Sequence, residues 1–153
     1  MRHAVYFTPA PASELHLLGS LALGRDALTC EKLRQSDSRL AALTGAPRRY
    51  GFHGTLKPPF HLRENMEVIK FDSAVKQLAA QHRSFLAPPL ELRVVDGFLA
   101  LVLAEPCPML DVLAANCVRQ LDDFRSPADE AELNRRRQAG LSAAQEQLLL
   151  RWG

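Results

Sequence analysis

The chain has 153 residues, 47% of them hydrophobic, enough for one domain with a real core and too short for two ordinary ones. Nineteen basic against 17 acidic side chains leave a net charge of +2, a balance that argues against bulk nucleic-acid binding and makes any anion site local. Three cysteines without C-x-x-C spacing, and no apolar run near the roughly 20 residues of a membrane span, give the expectation of a cytoplasmic protein with reduced thiols, no metal and no cofactor.

Ala4-Val5-Tyr6-Phe7 is a short apolar run stopped by Pro9 and Pro11, the pattern of an inner strand entering a turn. Ser13 then caps a predicted helix through about Leu23, with Leu15, Leu18, Leu21 and Ala22 as its stripe and Gly24 as its stop. His16 in that helix reads as a packing or surface residue, because no second metal-type residue stands at a suitable spacing. From Gly24 to Asp37 periodicity is weak, and the segment reads as loop. Ser36 or Asp37 starts a short helix through Leu40 and Leu43.

After Pro47 the sequence runs Arg-Arg-Tyr-Gly-Phe-His-Gly-Thr-Leu-Lys-Pro-Pro-Phe, from Arg48 to Phe60. Tyr50, Phe52 and Leu56 are strand formers, which places His53-Gly54-Thr55 on an extended segment ended by Pro58-Pro59. Residues two apart on a strand share a face, so the imidazole of His53 and the hydroxyl of Thr55 are expected side by side, with Gly54 taking no room on the other face. Imidazole transfers protons near neutrality and a hydroxyl donates to phosphoryl oxygen, so the pair suits phosphate-ester chemistry. Spacing alone equally allows a histidine and a threonine that merely pack or face solvent. Lys57 lies nominally on the same face and is either a phosphate attractor or a solvated strand-end charge. His61, beyond the two prolines, reads as a loop residue.

Met66 to about Arg83 has the pattern of an amphipathic helix, with Val68, Ile69, Phe71, Val75, Leu78 and Ala79 apolar. His82-Arg83-Ser84 follows at its end, where two such side chains share no face. Leu90 to Val95 and Phe98 to Ala104 form a predicted hairpin about Asp96-Gly97, the second strand apolar on both faces and therefore expected to be buried in the sheet that carries His53. Pro108 starts a helix through Leu121 with Cys117 in its core stripe and Cys107 in the loop before it. Ser126-Pro127 looks like a cap with proline at the first helical position, leading to Arg135-Arg136-Arg137, a run that reads as a solvated or salt-bridged face. Leu141-Ser142 opens the last helix, which runs to Trp152.

Gly-Phe-His-Gly-Thr-Leu-Lys-Pro-Pro-Phe resembles the first H-x-T signature of the two-histidine (2H) phosphoesterases, the superfamily of RNA 2′-5′ ligase-like proteins and cyclic phosphodiesterases. The likeness extends over Arg2 to Pro9, Gly24-Arg25-Asp26, Gly97 to Leu101, Asn134 to Leu141 and Leu150 to Gly153. Within the superfamily the chain looks most like proteins often encoded beside phosphonate-utilisation genes. The resemblance implies an α+β fold, a mainly antiparallel sheet with helices on its outer side. It implies a metal-independent phosphodiesterase acting on a small cyclic or nucleotide-like phosphate. His53 is then the acid or base and Thr55 the phosphoryl donor. Tyr50 and Phe52 line the cleft or join the core, and Arg25 sits on a loop covering one side of the site, as ligand or as solvated charge.

That mechanism needs a second H-x-T/S on an opposing strand, and the chain carries one. The sequence leads to the expectation of a single 2H-like domain whose second lobe is incomplete: a shortened chain, a prematurely ended product or a natural half-protein completed by another chain. Three functions follow from that incompleteness: an enzyme, a non-catalytic module binding a nucleotide, an RNA end or a phosphonate-pathway partner, and a structural subunit that forms a homodimer through an open sheet edge.

Overall fold

In a computed structural model, which describes residues 1–95 and 97–153, helices flank small two-stranded sheets, and the one with a defined register is antiparallel. Residues Val5–Thr55 form one compact unit, and Met1–Ala4 with Leu56–Gly153 form another. Strands β1 (Arg2–Phe7) and β2 (Gly54–His61) make one two-stranded sheet. With only two strands, β1 is not an inner strand. Val5 is buried while Tyr6 and Phe7 are exposed.

In the first unit, helix α1 (Glu14–Leu23) starts at Ser13, whose hydroxyl accepts from the His16 amide, and stops at Gly24 in the left-handed conformation. Helix α2 (Ser38–Leu43) is capped by Asp37. A single 3-10 turn (Pro47–Arg49) follows, and the chain stays irregular until Gly54. The strand expected around His53 therefore begins one residue after it. It also does not end at Pro58-Pro59 but continues to His61. A sheet of two strands leaves each strand an unpaired edge, where the amide that proline lacks is not missed.

In the other unit, α3 (Val68–Gln81) packs on α4 (Pro108–Gln120). Phe71 meets both Phe60 and Phe124 edge to face, with centroids 5.5 Å apart in each case, beside buried Leu78, Cys117 and Leu121. The stretch from Phe124 to Ser126 runs along the end of β2, the Ser126 amide donating to the His61 carbonyl at 2.7 Å. Helices α5 (Glu130–Arg137) and α6 (Ala143–Trp152) close the chain. The cap of α5 is Asp129, not Ser126: its carboxylate accepts from the Glu132 amide, and Pro127 lies outside the helix. The three arginines are salt-bridged as expected, Arg136 to Glu132 and Arg137 to Glu146 at 2.7 Å each, with Arg135 3.8 Å from Glu132.

Strands β3 (Leu90–Val95) and β4 (Phe98–Leu103) form an antiparallel hairpin. Gly97 in its turn has φ +77°, and Asp96 lies outside the described residues. The hairpin does not extend the sheet containing β2, and β4 is not buried: Leu99 is 61% exposed. The register sets Leu90 against Leu103, Leu92 against Leu101 and Val94 against Leu99. Alternation thus gathers six aliphatic side chains on one face.

Lys57 departs furthest from expectation. It is no solvated strand-end charge but is 2% exposed, its ammonium donating to the Val118 carbonyl at 2.9 Å and lying 3.5 Å from Asp122. Asp122 also takes Arg125 at 2.7 Å. Burial in this pocket pushes the Lys57 pKa down, against the pull of Asp122. The same burial pushes the Cys117 thiol up and keeps it from acting as a thiolate. Only Cys30 is exposed, so one equivalent of maleimide should react with the native protein and three after denaturation. Mass spectrometry showing native labelling at Cys107 or Cys117 would contradict that packing.

Candidate active site

Both candidate catalytic residues belong to the unit Val5–Thr55. The segment leading to them is held by Arg48, which bridges several acceptors: Nε donates to the Leu23 carbonyl at the end of α1 (3.1 Å). Nη2 donates to Gln35 Oε1 (2.7 Å), the Ala41 carbonyl (2.6 Å) and Thr44 Oγ1 (3.2 Å). Helix C-terminal carbonyls lack intrahelical donors, and a planar guanidinium serves several at once. The turn after Pro47 is thereby tied to α1 and α2.

Gly51 and Phe52 then fix the approach to His53. Gly51 has φ +74°, and a Cβ placed on it would fall 2.8 Å from the Ala27 backbone, so both conformation and space select glycine. Phe52 is laid against Gly19 of α1, where an added Cβ would come within 2.3 Å of the ring. This aromatic anchors the turn on α1; of the two readings of Phe52, the packing one describes its surroundings. A Gly51→Ala substitution should cost about 2 kcal/mol and displace the following residues. Urea unfolding would measure the first effect. A wild-type midpoint in the variant would exclude the strain.

His53 is half-buried, and its Nδ1 lies 2.9 Å from the Gly51 carbonyl oxygen. A carbonyl only accepts, so Nδ1 carries the hydrogen and Nε2 is left to take or give a proton. Tyr6 of β1 lies over the imidazole, centroids 4.0 Å apart and planes 36° apart, and Tyr50, 56% exposed, stands 6.2 Å away. Gly54 has nothing within 4 Å of the place a Cβ would take, and Thr55 is exposed. The surface next to the imidazole is therefore open at Gly54 and Thr55.

The other expected ligands are placed differently. Arg25 is half-buried in the loop after α1, in a backbone bridge with Lys32. Lys57 belongs to the other unit, with its charge already engaged by Val118 and Asp122. Of the remaining histidines, His16 is buried against Asp26 at 3.1 Å and His82 lies 3.3 Å from the Asn116 amide. His61 borders a concavity of about 280 Å³ with Arg125 and Arg136, whose guanidiniums are held by Asp122 and Glu132. Among the described residues no three His, Cys, Asp or Glu side chains gather to hold a metal, and no helix is long and apolar enough to cross a membrane.

Sequence reasoning passed over Tyr6, Gly51 and Arg48. Gly51 was open to detection as a glycine between two aromatic residues. Tyr6 and Arg48 act on residues 47 and 25 positions away, a relation that no local pattern carries.

Residues 55–153 match the family described as "Protein of unknown function (DUF1045)", and the chain belongs to that family. The matched stretch opens at Thr55, two residues after His53. Over essentially its whole length the chain is also similar to two curated proteins named ribose 1,5-bisphosphate phosphokinase PhnN. It is 37% identical to that of Janthinobacterium sp. (strain Marseille) and 34% identical to that of Laribacter hongkongensis (strain HLHK9). It covers 99% and 100% of itself in these comparisons but 35% and 36% of the relatives, about a third of their length. No solved structure matches the chain significantly.

Proposed function

We propose that this chain carries the His53 half of a metal-independent phosphodiester-cleaving site acting on a small cyclic or nucleotide-like phosphate, in the setting of phosphonate metabolism. The observation that supports it most is the single-ended hydrogen bond of His53: Nδ1–H is committed to the Gly51 carbonyl, and Nε2 is left for the substrate. This is how an imidazole is prepared for general acid–base work. Thr55 would hold a non-bridging phosphoryl oxygen, Tyr50 and Arg25 would border the substrate, and the second proton-transfer group would come from another polypeptide segment, in a longer protein or a partner chain. No added metal or cofactor enters this reading.

The relatives' name supports a sugar-phosphate setting without assigning their kinase activity to this region. A phosphate-cradling Gly-x-x-x-x-Gly-Lys-Ser/Thr loop is not found in these 153 residues. The presence of one H-x-T favours a second reading, a module that binds a nucleotide, an RNA end or a pathway partner without turnover. Hydrolysis of 2′,3′-cyclic nucleotides and sugar cyclic phosphates in the presence of EDTA separates the two. Turnover supports the enzyme. Saturable binding of the cyclic phosphates without turnover supports the module and removes the catalytic reading for the isolated chain.

A further inference from the structure

An imidazole that must transfer a proton has to be fixed in two senses: which nitrogen carries the hydrogen, and where the ring plane lies. The Nδ1 bond to Gly51 settles the first, but one hydrogen bond leaves the ring free to swing about the N···O axis. That bond is also local, made to a carbonyl two residues back in the same turn. A second contact on the ring face, from a different element, is needed to remove the remaining freedom.

Tyr6 supplies that contact. It comes from β1, 47 residues earlier, and brings its ring centroid to 4.0 Å from that of His53 with the planes 36° apart, a close tilted contact on the ring face. Tyr50 stands farther off, at 6.2 Å and 60°, and is 56% exposed, so it covers the ring less closely. Tyr6 is itself 36% exposed and stands at the surface beside the histidine. We infer that Tyr6 is a positioning residue that holds the imidazole plane of His53, so that Gly51 and Tyr6 together set the aim of Nε2. The inference rests on the proposed acid–base role of His53. Its function is geometric: proton transfer tolerates displacements of only a fraction of an ångström, and an error of about 1 Å costs on the order of 100-fold in rate.

The test uses Tyr6→Phe, which keeps the ring, and Tyr6→Leu, which keeps an apolar strand residue but removes it. Carbon-13 relaxation of the His53 ring C–H groups reads the freedom of the ring plane by NMR without any substrate. Wild type and Tyr6→Phe should show a rigid ring and Tyr6→Leu a mobile one, with the hydrogen on Nδ1 in all three. Where turnover is measured, Tyr6→Leu should lower kcat about tenfold with KM within about twofold, and Tyr6→Phe should restore kcat. A Tyr6→Leu protein whose His53 ring is as rigid as in wild type overturns the inference, as does a kcat equal to wild type in that variant. If His53→Ala keeps full turnover, the proposed function fails. If His53→Ala abolishes turnover while Tyr6→Leu changes neither ring mobility nor kcat, the inference fails alone. In a protein without turnover the NMR relaxation decides.

Discussion

His53→Ala should reduce cyclic-phosphate hydrolysis by at least about 100-fold, the low end of what one positioned acid–base group contributes. The loss should fall on kcat, because the imidazole acts on a proton in transit and not on the ground-state substrate. Thr55→Ala removes a donor to a phosphoryl oxygen and should cost on the order of tenfold, divided between kcat and KM. Neither change should unfold the protein, since His53 is half-buried and Thr55 exposed, and thermal melts provide the control. Initial rates under EDTA check the prediction. A His53→Ala protein as active as wild type would remove His53 from the chemistry altogether.

The second large effect concerns stability. Asp122 accepts Lys57 and Arg125 in a setting where the Lys57 side chain is almost wholly out of water. Asp122→Ala leaves that ammonium with the Val118 carbonyl alone and should destabilise by about 3 kcal/mol. Lys57→Met takes the opposite course, replacing the buried charge with an apolar stem of similar length, and should cost less than about 1 kcal/mol. Equal losses in the two variants would show that the pair matters for its packing and not for its charge.

The pair also gives stability a pH dependence at both ends. Burial raises the Asp122 carboxyl, but Arg125 and Lys57 outweigh it and hold it below the usual 3.8. Its contribution is present above pH 3.8 and is lost as the pH falls through the lowered folded value. Burial holds Lys57 below the usual 10.5. Between that lowered value and 10.5 the unfolded chain binds more protons, so the Lys57 contribution to stability rises with pH there. Urea unfolding across the pH range reads both slopes, and Lys57→Met should flatten the alkaline one.

Most helices were legible because their signals are local. Ser13, Asp37 and Ser142 each cap the helix that an apolar period had already located, and Gly24 stops α1 in the left-handed conformation that glycine permits. At α5 two capping candidates stand three residues apart, and Pro127 draws attention to the wrong one. The hairpin was legible from alternation, but its exposure was not, because composition records how apolar a strand is and not what covers it. Lys57 shows the same limit from the other side: a charge in a strand is read as facing water unless its partners, here 61 and 65 residues away, are known. In the candidate site the histidine was visible from its neighbours in sequence. The contacts that orient it were not, since Tyr6 and Arg48 reach across the unit.

The aliphatic face of the β3–β4 hairpin governs how the protein behaves in a concentrated solution. Leu92, Val94, Leu99 and Leu101 lie open to solvent on a two-stranded ribbon whose outer edges carry backbone donors and acceptors. Such a ribbon is a template for uncontrolled strand pairing, and the net charge of +2 provides little mutual repulsion to oppose it. Association through this face is therefore expected to limit the working concentration of this chain. Basic or acidic replacements on this face would raise its solubility limit.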